Sequence, residues 1–381
     1  MSQHDLSSWR ATTNRFVTVV VGTRAQLIKM APLLRSFEAC RHPYRLLLTG
    51  QHHTTMRALL NDFCIRTEPN ILYSGKEISG IGQMAVWLPL MLFRLLRRRR
   101  QLLRAPDGNA SLVLVHGDTF STLLGALAGR LAACPVGHVE SGLRSFNSLN
   151  PFPEEITRLL VFRLASLAFC PGAWAAGNMA NYRATVVDTE HNTLLDALRF
   201  AVSVEPSGQE DTPAHYCVAS THRFENLFFR RRLEWIIATI VRIAETRDVI
   251  FVLHPATERR LRQRGLIEML ADHPRVHLRK RMAYLPFVRL LQGADFVMTD
   301  GGSNQEELYY LRKPTLLLRS ATERQEGLDG QAVLSNYCDE TVMRFLAALP
   351  APAETGDLLW GQAIPCAHIL QVVTGHTESA S

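Results

Sequence analysis

Three glutamates surround one loop rich in proline and asparagine, in the stretch GHVESGLRSFNSLNPFPEE at residues 137–155. Glu140 stands near its beginning, and Glu154 and Glu155 stand at its end. Separated carboxylates are suited to acid and base catalysis, because one can accept a proton while another delivers one. Glu155 has a simpler explanation, an ion pair with Arg158 about one helical turn further on. Glu140 and Glu154 are therefore the candidate reacting groups.

A further carboxylate and a histidine occur in two similar motifs. Asp118 belongs to HGDTFST (116–122), and His222 belongs to THRFEN (221–226). A helix N-cap, Asp118 or Thr119, explains the first motif equally well, and a capping box explains part of the second motif. A capping box does not explain a histidine and an arginine side by side. His222 is therefore kept as a candidate catalytic group together with Asp118.

Another stretch is typical of anion binding at the start of a helix. GTRAQLIK (22–29) carries Arg24 and Lys29 close to a strand-to-helix turn. Backbone N–H groups, the helix dipole and these cations together would hold a phosphate, although a structural turn with surface cations gives the same pattern. The chain has neither GxGxxG nor GxxxxGK[ST], so neither a dinucleotide fingerprint nor a P-loop is indicated.

TDGGSNQEE (299–307) is the more informative of the anion-binding stretches. Its Gly-Gly-Ser sequence directly precedes a predicted helix, so backbone N–H groups are available to a diphosphate. Glu306 or Glu307, one turn into that helix, is placed to accept hydrogen bonds from ribose hydroxyls. The motif predicts a site for a nucleoside diphosphate.

These motifs all follow predicted strands. One series of apolar, β-branched runs comprises RFVTVVVG (15–22), RLLLTG (45–50), SLVLVHG (111–117) and CPVGHVE (134–140). A second series comprises HYCVAS (215–220), DVIFVLHP (248–255), RVHLR (275–279), ADFVMTD (294–300) and KPTLLLR (313–319). Segments with helical spacing alternate with these runs, which predicts two doubly wound parallel sheets. Because ligands bind at the carboxyl ends of such strands, the motifs are expected to line a site.

The composition limits the class of protein. A chain of 381 residues with 47% hydrophobic and 20% charged residues predicts two globular domains. No apolar run reaches a bilayer span, and residues 1–16 lack the apolar core of a signal peptide. Seven scattered cysteines without a CxxC pair indicate reduced thiols in a cytoplasm and no zinc site. No nucleic acid partner is expected, because the sequence lacks RNA- and DNA-binding motifs.

The net charge of +7 comes almost entirely from arginine, since only four of the 42 basic residues are lysines. Arginine suits a phosphorylated ligand, and a compositional bias of the genome explains the excess equally well. The segment MAVWLPLMLFRLLRRRRQLLR (84–104) has the composition of a peripheral membrane contact. We favour instead a helix that faces the protein core and carries its arginines in solvent.

Taken together and in this order, the motifs resemble the bacterial UDP-N-acetylglucosamine 2-epimerase family, in its non-hydrolysing branch. The resemblance runs over nearly the whole chain, from GTRAQLIKMAPL through TGQH, HGDT, GHVESGLRS, PFPEE and THRFEN to TDGGSNQEE and TERQEG. It implies an α/β, GT-B-like fold of two Rossmann-like doubly wound parallel-sheet domains, with the active site in the interdomain cleft. It also implies a UDP-sugar substrate, a homodimer and no metal or other cofactor.

The resemblance assigns roles to individual residues. Catalysis is implied for Asp118, Glu140, Glu154 and His222. Substrate or UDP binding is implied for Arg24, Lys29, Arg144, Arg223, Gly301, Gly302, Ser303 and Glu307. Arg144 also has a structural alternative, as an ion-pair partner of the neighbouring glutamates.

Four segments are predicted along the chain. Residues 1–188 form the domain with the catalytic carboxylates, and residues 215–350 form the UDP-binding domain. Residues 189–214 connect the two domains through a helix and a linker. Residues 351–381 are expected to pack back on the first domain.

The sequence departs from the family pattern in several motifs. GTRPE is GTRAQ here, which replaces a carboxylate by Gln26, and THRRE is THRFE, which replaces an arginine by Phe224. DSGG is DGGS, the glycine of the GNT motif is His191, and the segment after the second strand reads Gln-His-His-Thr at 51–54. These changes leave room for a modified hexosamine, such as a uronate or a deoxy sugar. Allosteric activation by UDP-N-acetylglucosamine is not expected.

The expected function is inversion of C2 of UDP-N-acetylglucosamine or a modified relative, for cell-surface or secondary-metabolite glycans. UDP would be eliminated to give a 2-acetamidoglucal and then added back. A GT-B glycosyltransferase with a UDP-hexosamine donor and the hydrolysing form of the epimerase are the alternatives. HGDT and VESGLRS fit the non-hydrolysing branch better.

Overall fold

The computed structural model describes residues 15–50, 53–73, 81–147, 153–205, 211–322, 324–350 and 364–375. This part of the chain forms two compact units. One contains the residues up to Ala197 together with the C-terminal helix, and the other begins at Leu198. The division falls within the helix Leu194–Ser203, inside the segment 189–214 that the sequence predicts as a connection.

The first unit contains a parallel sheet of seven strands in the described residues. Its elements in chain order are β1 (Val17–Val21), α1 (Arg24–Ala39), β2 (Tyr44–Leu48), α2 (His53–Asp62), β3 (Asn70–Ile71), α3 (Ile81–Leu103), β4 (Leu112–His116), α4 (Phe120–Leu131), β5 (Val136–Val139), α5 (Glu154–Leu164), β6 (Leu167–Cys170), α6 (Ala173–Asn178), β7 (Thr185–Asp188) and α7 (Leu194–Ser203). The strand order is β3-β2-β1-β4-β5-β6-β7, so the direction of winding reverses between β1 and β4. At such a reversal the loops after the two strands diverge, which favours ligand binding.

The second unit contains a parallel sheet of six strands in the described residues. Its elements are β8 (Tyr216–Ser220), α8 (Phe224–Phe228), α9 (Arg230–Ala244), β9 (Asp248–Leu253), α10 (Pro255–Gln263), α11 (Ile267–Ala271), β10 (Val276–Lys280), α12 (Tyr284–Gly293), β11 (Val297–Thr299), α13 (Gly302–Tyr310), β12 (Thr315–Leu317), β13 (Ala332–Leu334) and α14 (Asp339–Ala347). The order is β10-β9-β8-β11-β12-β13, and the reversal lies between β8 and β11. THRFEN follows β8, and TDGGS begins at the last residue of β11, so both motifs lie at this reversal.

The predicted fold class is confirmed: an α/β, GT-B-like chain with two Rossmann-like, doubly wound parallel-sheet domains. Every residue of β1, β4 and β8 is buried, as expected for parallel strands covered by helices on both faces. The apolar runs did not predict four short strands, namely β3, β6, β7 and β13. Three of these lie at sheet edges, and β3 is exposed at both of its residues, so its sequence carries no apolar run.

The arginine-rich segment 84–104 lies mostly in α3. Trp87, Met91 and Leu95 are buried in the core of the first unit, whereas Arg97 and Arg98 are exposed. The structure therefore agrees with a core-facing helix whose arginines lie in solvent. Among the described residues, the helices are all too short or too polar to cross a membrane.

The last described helix, α15 (Pro365–Thr374), packs against α1. Ile369 and Leu370 on this helix are buried, and the backbone N–H of Cys366 donates to Oδ2 of Asp196 at 2.8 Å. These contacts connect the described part of the C-terminal segment to the first unit. The remainder of 351–381, and residues 206–210 of the predicted linker, lie outside the described residues.

Candidate active site

The turn between β1 and α1 is organised by Gln26. Thr23 is the N-cap of α1, and a capping box joins it to Gln26: Thr23 Oγ1 accepts from the Gln26 N–H at 3.3 Å, and Gln26 Oε1 accepts from the Thr23 N–H at 3.1 Å. The side-chain amide of Gln26 also donates to the carbonyl of His116 at 2.5 Å and to Thr122 Oγ1 at 2.8 Å. A carboxylate at this position has no N–H to donate. Gln26 thus ties the first turn to the loop after β4.

Gly22 and Arg24 occupy the same turn. A Cβ added at Gly22 would lie 1.8 Å from Oγ of Ser121, so the turn packs directly against α4. Arg24 is the first residue of α1 and is partly buried. Burial raises the pKa of Asp62 on α2, and the charge of Arg24 opposes that rise. The turn therefore carries the predicted cation at a helix start.

Lys29, Glu140 and His116 form a buried cluster. Nζ of Lys29 lies 2.5 Å from Oε2 of Glu140, and Nε2 of His116 lies 3.3 Å from the same oxygen. The three side chains are 6%, 7% and 3% exposed. Lys29 therefore contacts a candidate reacting carboxylate, a contact that the sequence motif does not indicate. An ammonium beside a buried carboxylate offsets part of the cost of burying the negative charge.

The backbone at Glu140 has an unusual conformation. Its φ is 63°, in the left-handed region that residues other than glycine rarely adopt. The next residue, Ser141, donates its N–H to the carbonyl of Phe169 at 2.9 Å. The bend ends β5 and leaves Glu140 at its carboxyl end. Conformations of this kind occur preferentially at functional sites.

Asp118 is held by a chain of alternating charges. It lies two residues beyond β4, and its carboxylate contacts Nη2 of Arg158. Nη1 of Arg158 lies 3.4 Å from Oε2 of Glu155, and Nε of Arg144 lies 2.5 Å from Oε1 of Glu155. The predicted Glu155–Arg158 pair is therefore present, and Arg144 takes the structural alternative in this arrangement. The side chain of Asp118 is 24% exposed, so the chain of charges ends at a carboxylate that a ligand can reach.

Glu155 is a structural anchor rather than an exposed acid. It is wholly buried and also accepts from the N–H of Ser145 at 3.0 Å. Burial alone would raise the pKa of Glu155, but hydrogen bonds from Arg144 and Ser145, with the arginine charges, outweigh it and lower that pKa. Glu154 is the first residue of α5 and is only partly buried. Residues 148–152 of the preceding loop lie outside the described residues.

His138 supports the loop that carries Asp118, and sequence reasoning did not single it out. It lies within β5, is fully buried, and its Nε2 donates to the carbonyl of Gly117 at 2.8 Å. Burial lowers the pKa of His138 to about 4, although the Gly117 hydrogen bond and the charge of Glu140 act in the opposite direction. The imidazole is therefore neutral near pH 7. Its hydrogen bond to Gly117 anchors the loop after β4 to the neighbouring strand β5.

In the second unit, His222 is positioned by Asp300. Nδ1 of His222 lies 3.3 Å from Oδ1 of Asp300, and the backbone N–H groups of His222 and Arg223 donate to that carboxylate at 3.0 Å. The ring stacks on His254 with centroids 4.4 Å apart. Burial lowers the pKa of His222, although Asp300 raises it. The imidazole is therefore mainly neutral near pH 7.

Sequence reasoning missed Asp300 itself. The side chain is completely buried and also accepts hydrogen bonds from Thr221 Oγ1 at 2.5 Å and Asn226 Nδ2 at 2.9 Å. Burial would raise the pKa of Asp300, but His222 and these hydrogen bonds lower it. Asp300 therefore stays charged and holds the THRFEN loop in place. The available signal was its position directly before Gly-Gly-Ser, at the end of a strand.

The Gly-Gly-Ser sequence forms the start of α13. Gly301 is the N-cap, and its N–H donates to Thr299 Oγ1 at 3.1 Å. The amides that a helix start leaves for a ligand are thus those of Gly302 and Ser303. A Cβ added at Gly301 would lie 3.2 Å from Cε1 of His222, so glycine allows the histidine loop to approach the helix.

Both glutamates of TDGGSNQEE are buried in α13 and have polar partners. Glu306 pairs with Arg324 at 2.7 Å. Glu307 accepts a hydrogen bond from Asn304 Nδ2 at 2.9 Å. Burial, together with the charge of Glu307 and the hydrogen bond to it, raises the pKa of Tyr284, so the Tyr284 hydroxyl stays protonated and acts as a donor. The helix start and Glu307 therefore belong to one preorganised polar cluster.

The arrangement separates two kinds of chemistry between the units. The first unit carries carboxylates with cationic partners at the ends of β4 and β5, which is the equipment for proton transfer. The second unit carries a glycine-rich helix start beside a histidine, which is the equipment for binding a diphosphate. Among the described residues, His, Cys, Asp and Glu side chains form no group of three that could hold a metal ion.

Comparisons with known proteins identify the family. The family model of UDP-N-acetylglucosamine 2-epimerase matches residues 38–355. The UDP-N-acetylglucosamine 2-epimerase of Bacillus subtilis is 31% identical over 344 residues, which cover 87% of this chain and 86% of that protein.

Two solved structures are similar over nearly the full length. The UDP-GlcNAc 2-epimerase of Neisseria meningitidis bound to UDP-GlcNAc has a TM-score of 0.78 and 26% identity, covering 95% of this chain and 100% of that one. The enzyme of Methanocaldococcus jannaschii in complex with UDP-GlcNAc and UDP has a TM-score of 0.77 and 25% identity, with the same coverage. With its motifs, its two sheets and a family match over most of its length, this chain belongs to the UDP-N-acetylglucosamine 2-epimerase family.

Proposed function

We propose that this protein is a non-hydrolysing epimerase that inverts C2 of UDP-N-acetylglucosamine or of a modified UDP-hexosamine. One observation carries the proposal: in a chain of this family, Glu140 stands at the end of β5 in contact with buried Lys29 and His116. Solved relatives bound to UDP-GlcNAc support the choice of substrate. The departures from the family motifs leave room for a uronate or deoxy derivative.

The chemistry requires a base, an acid and a set of groups that hold UDP while it leaves and returns, here called the clamp. The C2 hydrogen of the sugar is not acidic, so direct removal is slow. In the proposed route C2 loses a proton while the C1–O bond to UDP breaks, which leaves a 2-acetamidoglucal and UDP. The UDP oxygen then rebonds to C1, and C2 receives a proton on the opposite face. Carboxylates in different environments are suited to the two proton transfers.

Asp118, Glu140 and Glu154 are the groups we assign to proton transfer. Glu140 is the candidate base by its place at the end of β5, beside the buried side chains of Lys29 and His116. Asp118 is the more exposed carboxylate, and Arg158 orients it. Glu154 stays a candidate by its place at the start of α5.

The clamp for UDP is assigned to the second unit. The amides of Gly302 and Ser303 at the start of α13 and the imidazole of His222 would stabilise the diphosphate as it leaves, where most charge develops. Glu307 would accept hydrogen bonds from ribose. Arg24 and Arg223 are proposed as additional cationic contacts.

Epimerisation in deuterated water tests the proposal. Incubation with UDP-N-acetylglucosamine should yield the manno isomer, seen by its anomeric proton signal in NMR, with the UDP-sugar retained and deuterium at C2. Release of free N-acetylmannosamine would identify the hydrolysing form instead. Transfer of the sugar to an acceptor without exchange at C2 would identify a glycosyltransferase. A panel of UDP-hexosamines, including uronate and deoxy forms, decides the sugar.

Conservative substitutions of the carboxylates separate chemistry from binding. Asp118→Asn and Glu140→Gln should each lower kcat by about 10²–10⁴-fold, the range for loss of a general acid or base. The dissociation constant for UDP, measured by calorimetry, should change little. Glu268→Gln, at an exposed glutamate of α11, is the matched control and should behave like the parent. Equal activity of all three variants would contradict the assignment.

The homodimer and the cytoplasmic location are part of the same proposal. Light scattering on the purified protein measures the mass of the assembly. A monomeric mass at working concentrations would reject the dimer and leave the epimerase assignment to the NMR assay.

A further inference from the structure

Three phenylalanine rings stand together on the surface of the second unit. Phe224, Phe228 and Phe229 are 70%, 54% and 51% exposed. The rings of Phe224 and Phe228 stack with centroids 4.8 Å apart, and Phe228 meets Phe229 edge to face at 5.5 Å. The three rings form one continuous apolar surface, here called the phenylalanine patch.

The patch is not the core-facing side of its helix. Asn226 and Leu227 in the middle of α8 are buried and provide that side. Phe224 and Phe228 are four positions apart, so they lie on the same outward face of the helix. Single exposed phenylalanines are ordinary on a protein surface, whereas three in contact within six residues mark an interaction site.

Arginines surround the phenylalanine patch. Between positions 223 and 232 the sequence has four arginines and one glutamate. Arg231 is exposed, and the guanidinium of Arg232 lies 5.1 Å from the centroid of the Phe229 ring. Arg260, from the neighbouring helix α10, donates to the carbonyl of Leu227 at 3.0 Å and adds a further cation. Although Arg230 is paired with Glu234 at 2.6 Å, cations remain in excess around the rings.

The size of the patch limits its partner. A phenylalanine side chain offers about 150–250 Å² for burial, so three rings that are 51–70% exposed present about 350 Å². A stable protein interface needs about 800 Å² from each partner. The patch alone is therefore too small to hold a second copy of the chain. Aromatic rings that insert between lipids need no such area, and guanidinium groups bind phosphate.

We propose that the phenylalanine patch, with its surrounding arginines, docks this protein on an anionic phospholipid surface. The rings enter the boundary between headgroups and acyl chains, and the arginines contact the lipid phosphates. This inference does not depend on the epimerase activity. It also differs from the membrane contact considered for residues 84–104, because the apolar side of α3 is buried in the core of the first unit.

Flotation of the full chain with lipid vesicles tests the proposal. Vesicles of phosphatidylglycerol and phosphatidylcholine should carry the protein at low salt, and vesicles of phosphatidylcholine alone should not. Phe224→Ser, Phe228→Ser and Phe229→Ser combined should lower the bound fraction by about tenfold. Arg231→Glu, which leaves every ring in place, should lower it by about fivefold. High salt should weaken binding of the parent, because it screens the arginines.

The exposed residues of α3 provide matched controls. Phe93 is 61% exposed and Arg97 is exposed, so Phe93→Ser and Arg97→Glu make the same types of substitution, one at a time, on another surface. Both variants should float like the parent. Loss of binding in these controls with retention in the ring variant would overturn the proposal. An unchanged bound fraction in Arg231→Glu would overturn it as well. Because this variant leaves every ring in place, it still tests the proposal if the triple variant unfolds at a lower temperature than the parent.

A protein partner on the patch has a different signature. If the triple variant changes the mass of the purified protein in light scattering while vesicle binding persists, the patch joins copies of the chain and the proposal is wrong. An unchanged mass together with lost flotation supports docking on lipid.

Discussion

At the scale of single residues, the candidate carboxylates differ in what surrounds them. Glu140 is almost fully buried against an ammonium and an imidazole, whereas Asp118 is partly exposed at the end of a chain of alternating charges. Different environments give chemically identical groups different proton affinities, which is how one site holds both an acid and a base. The positioning residues matter as much as the carboxylates, because a buried charge without its partner is costly.

Replacing Lys29 by methionine removes the ammonium and keeps most of the volume. Glu140 then stays buried without its cation, and we expect the free energy of unfolding to fall by about 3–5 kcal/mol. Urea denaturation measures this change. The double variant Lys29→Met, Glu140→Gln should recover much of the loss, because an amide needs no counter-charge.

Lys280→Met is the control for this experiment, since Lys280 is an exposed residue at the end of β10. It should leave stability within about 0.5 kcal/mol of the parent. If Lys29→Met is equally harmless, the ion pair contributes nothing to the fold and its assigned role is wrong.

His138 makes stability depend on pH. Its pKa is lowered to about 4 by burial, from an ordinary value near 6.5. Between these values the unfolded chain binds a proton that the folded chain does not, so stability should fall as the pH drops from about 6.5 to about 4 and level off below. Urea denaturation at a series of pH values measures the slope. His138→Gln keeps an N–H donor for the carbonyl of Gly117 but has no group that titrates in this range. Its free energy of unfolding should therefore depend less on pH between about 4 and 6.5 than that of the parent. An identical slope in the variant would show that another group causes the dependence.

At the scale of elements, the site depends on turns that bring two loops into contact. The β1–α1 turn meets the start of α4 at Gly22, and the side-chain amide of Gln26 reaches the loop after β4. Both contacts cross the point where the strand order reverses. The sequence predicted the elements and the glycine turn. It did not predict these contacts, because residues about ninety positions apart along the chain meet only after the sheet has formed.

Substituting Gly22 by alanine tests how tightly the turn is packed. The added Cβ would lie 1.8 Å from Oγ and 2.3 Å from Cβ of Ser121, so the backbone has to shift. We expect a loss of about 1–3 kcal/mol in the free energy of unfolding. Ser121→Gly removes both clashing atoms and should restore part of the loss in the double variant. Gly177→Ala on α6, where a Cβ meets nothing within 4 Å, is the control and should not destabilise.

At the scale of the whole molecule, the C-terminal helix of the chain packs on the first unit. Ile369 and Leu370 of α15 are buried, and α15 packs against α1. The helix that bears Arg24 and Lys29 is thus supported by residues far away in sequence. The second unit carries its own core, built around the β8–β9 strands and α9.

Ile369→Ala should weaken the first unit selectively. Removal of buried methylenes from a core costs about 2–5 kcal/mol. Hydrogen exchange followed by mass spectrometry locates the effect: peptides of β1 and α1 should exchange faster, and peptides of β8 and β9 should exchange as in the parent. An equal increase in both units would show that they unfold as one, contrary to this expectation.

The sequence by itself determined the two parallel sheets, the family and the positions of most candidate groups, because apolar runs and the motifs after them are local patterns that do not depend on packing. The tertiary structure decided the partners. It paired Lys29 with Glu140, Arg158 with Asp118 and Asp300 with the His222 loop, none of which spacing along the chain indicates. The reason is physical: the charge state of a buried group depends on neighbours that only the folded sheets bring within hydrogen-bonding distance.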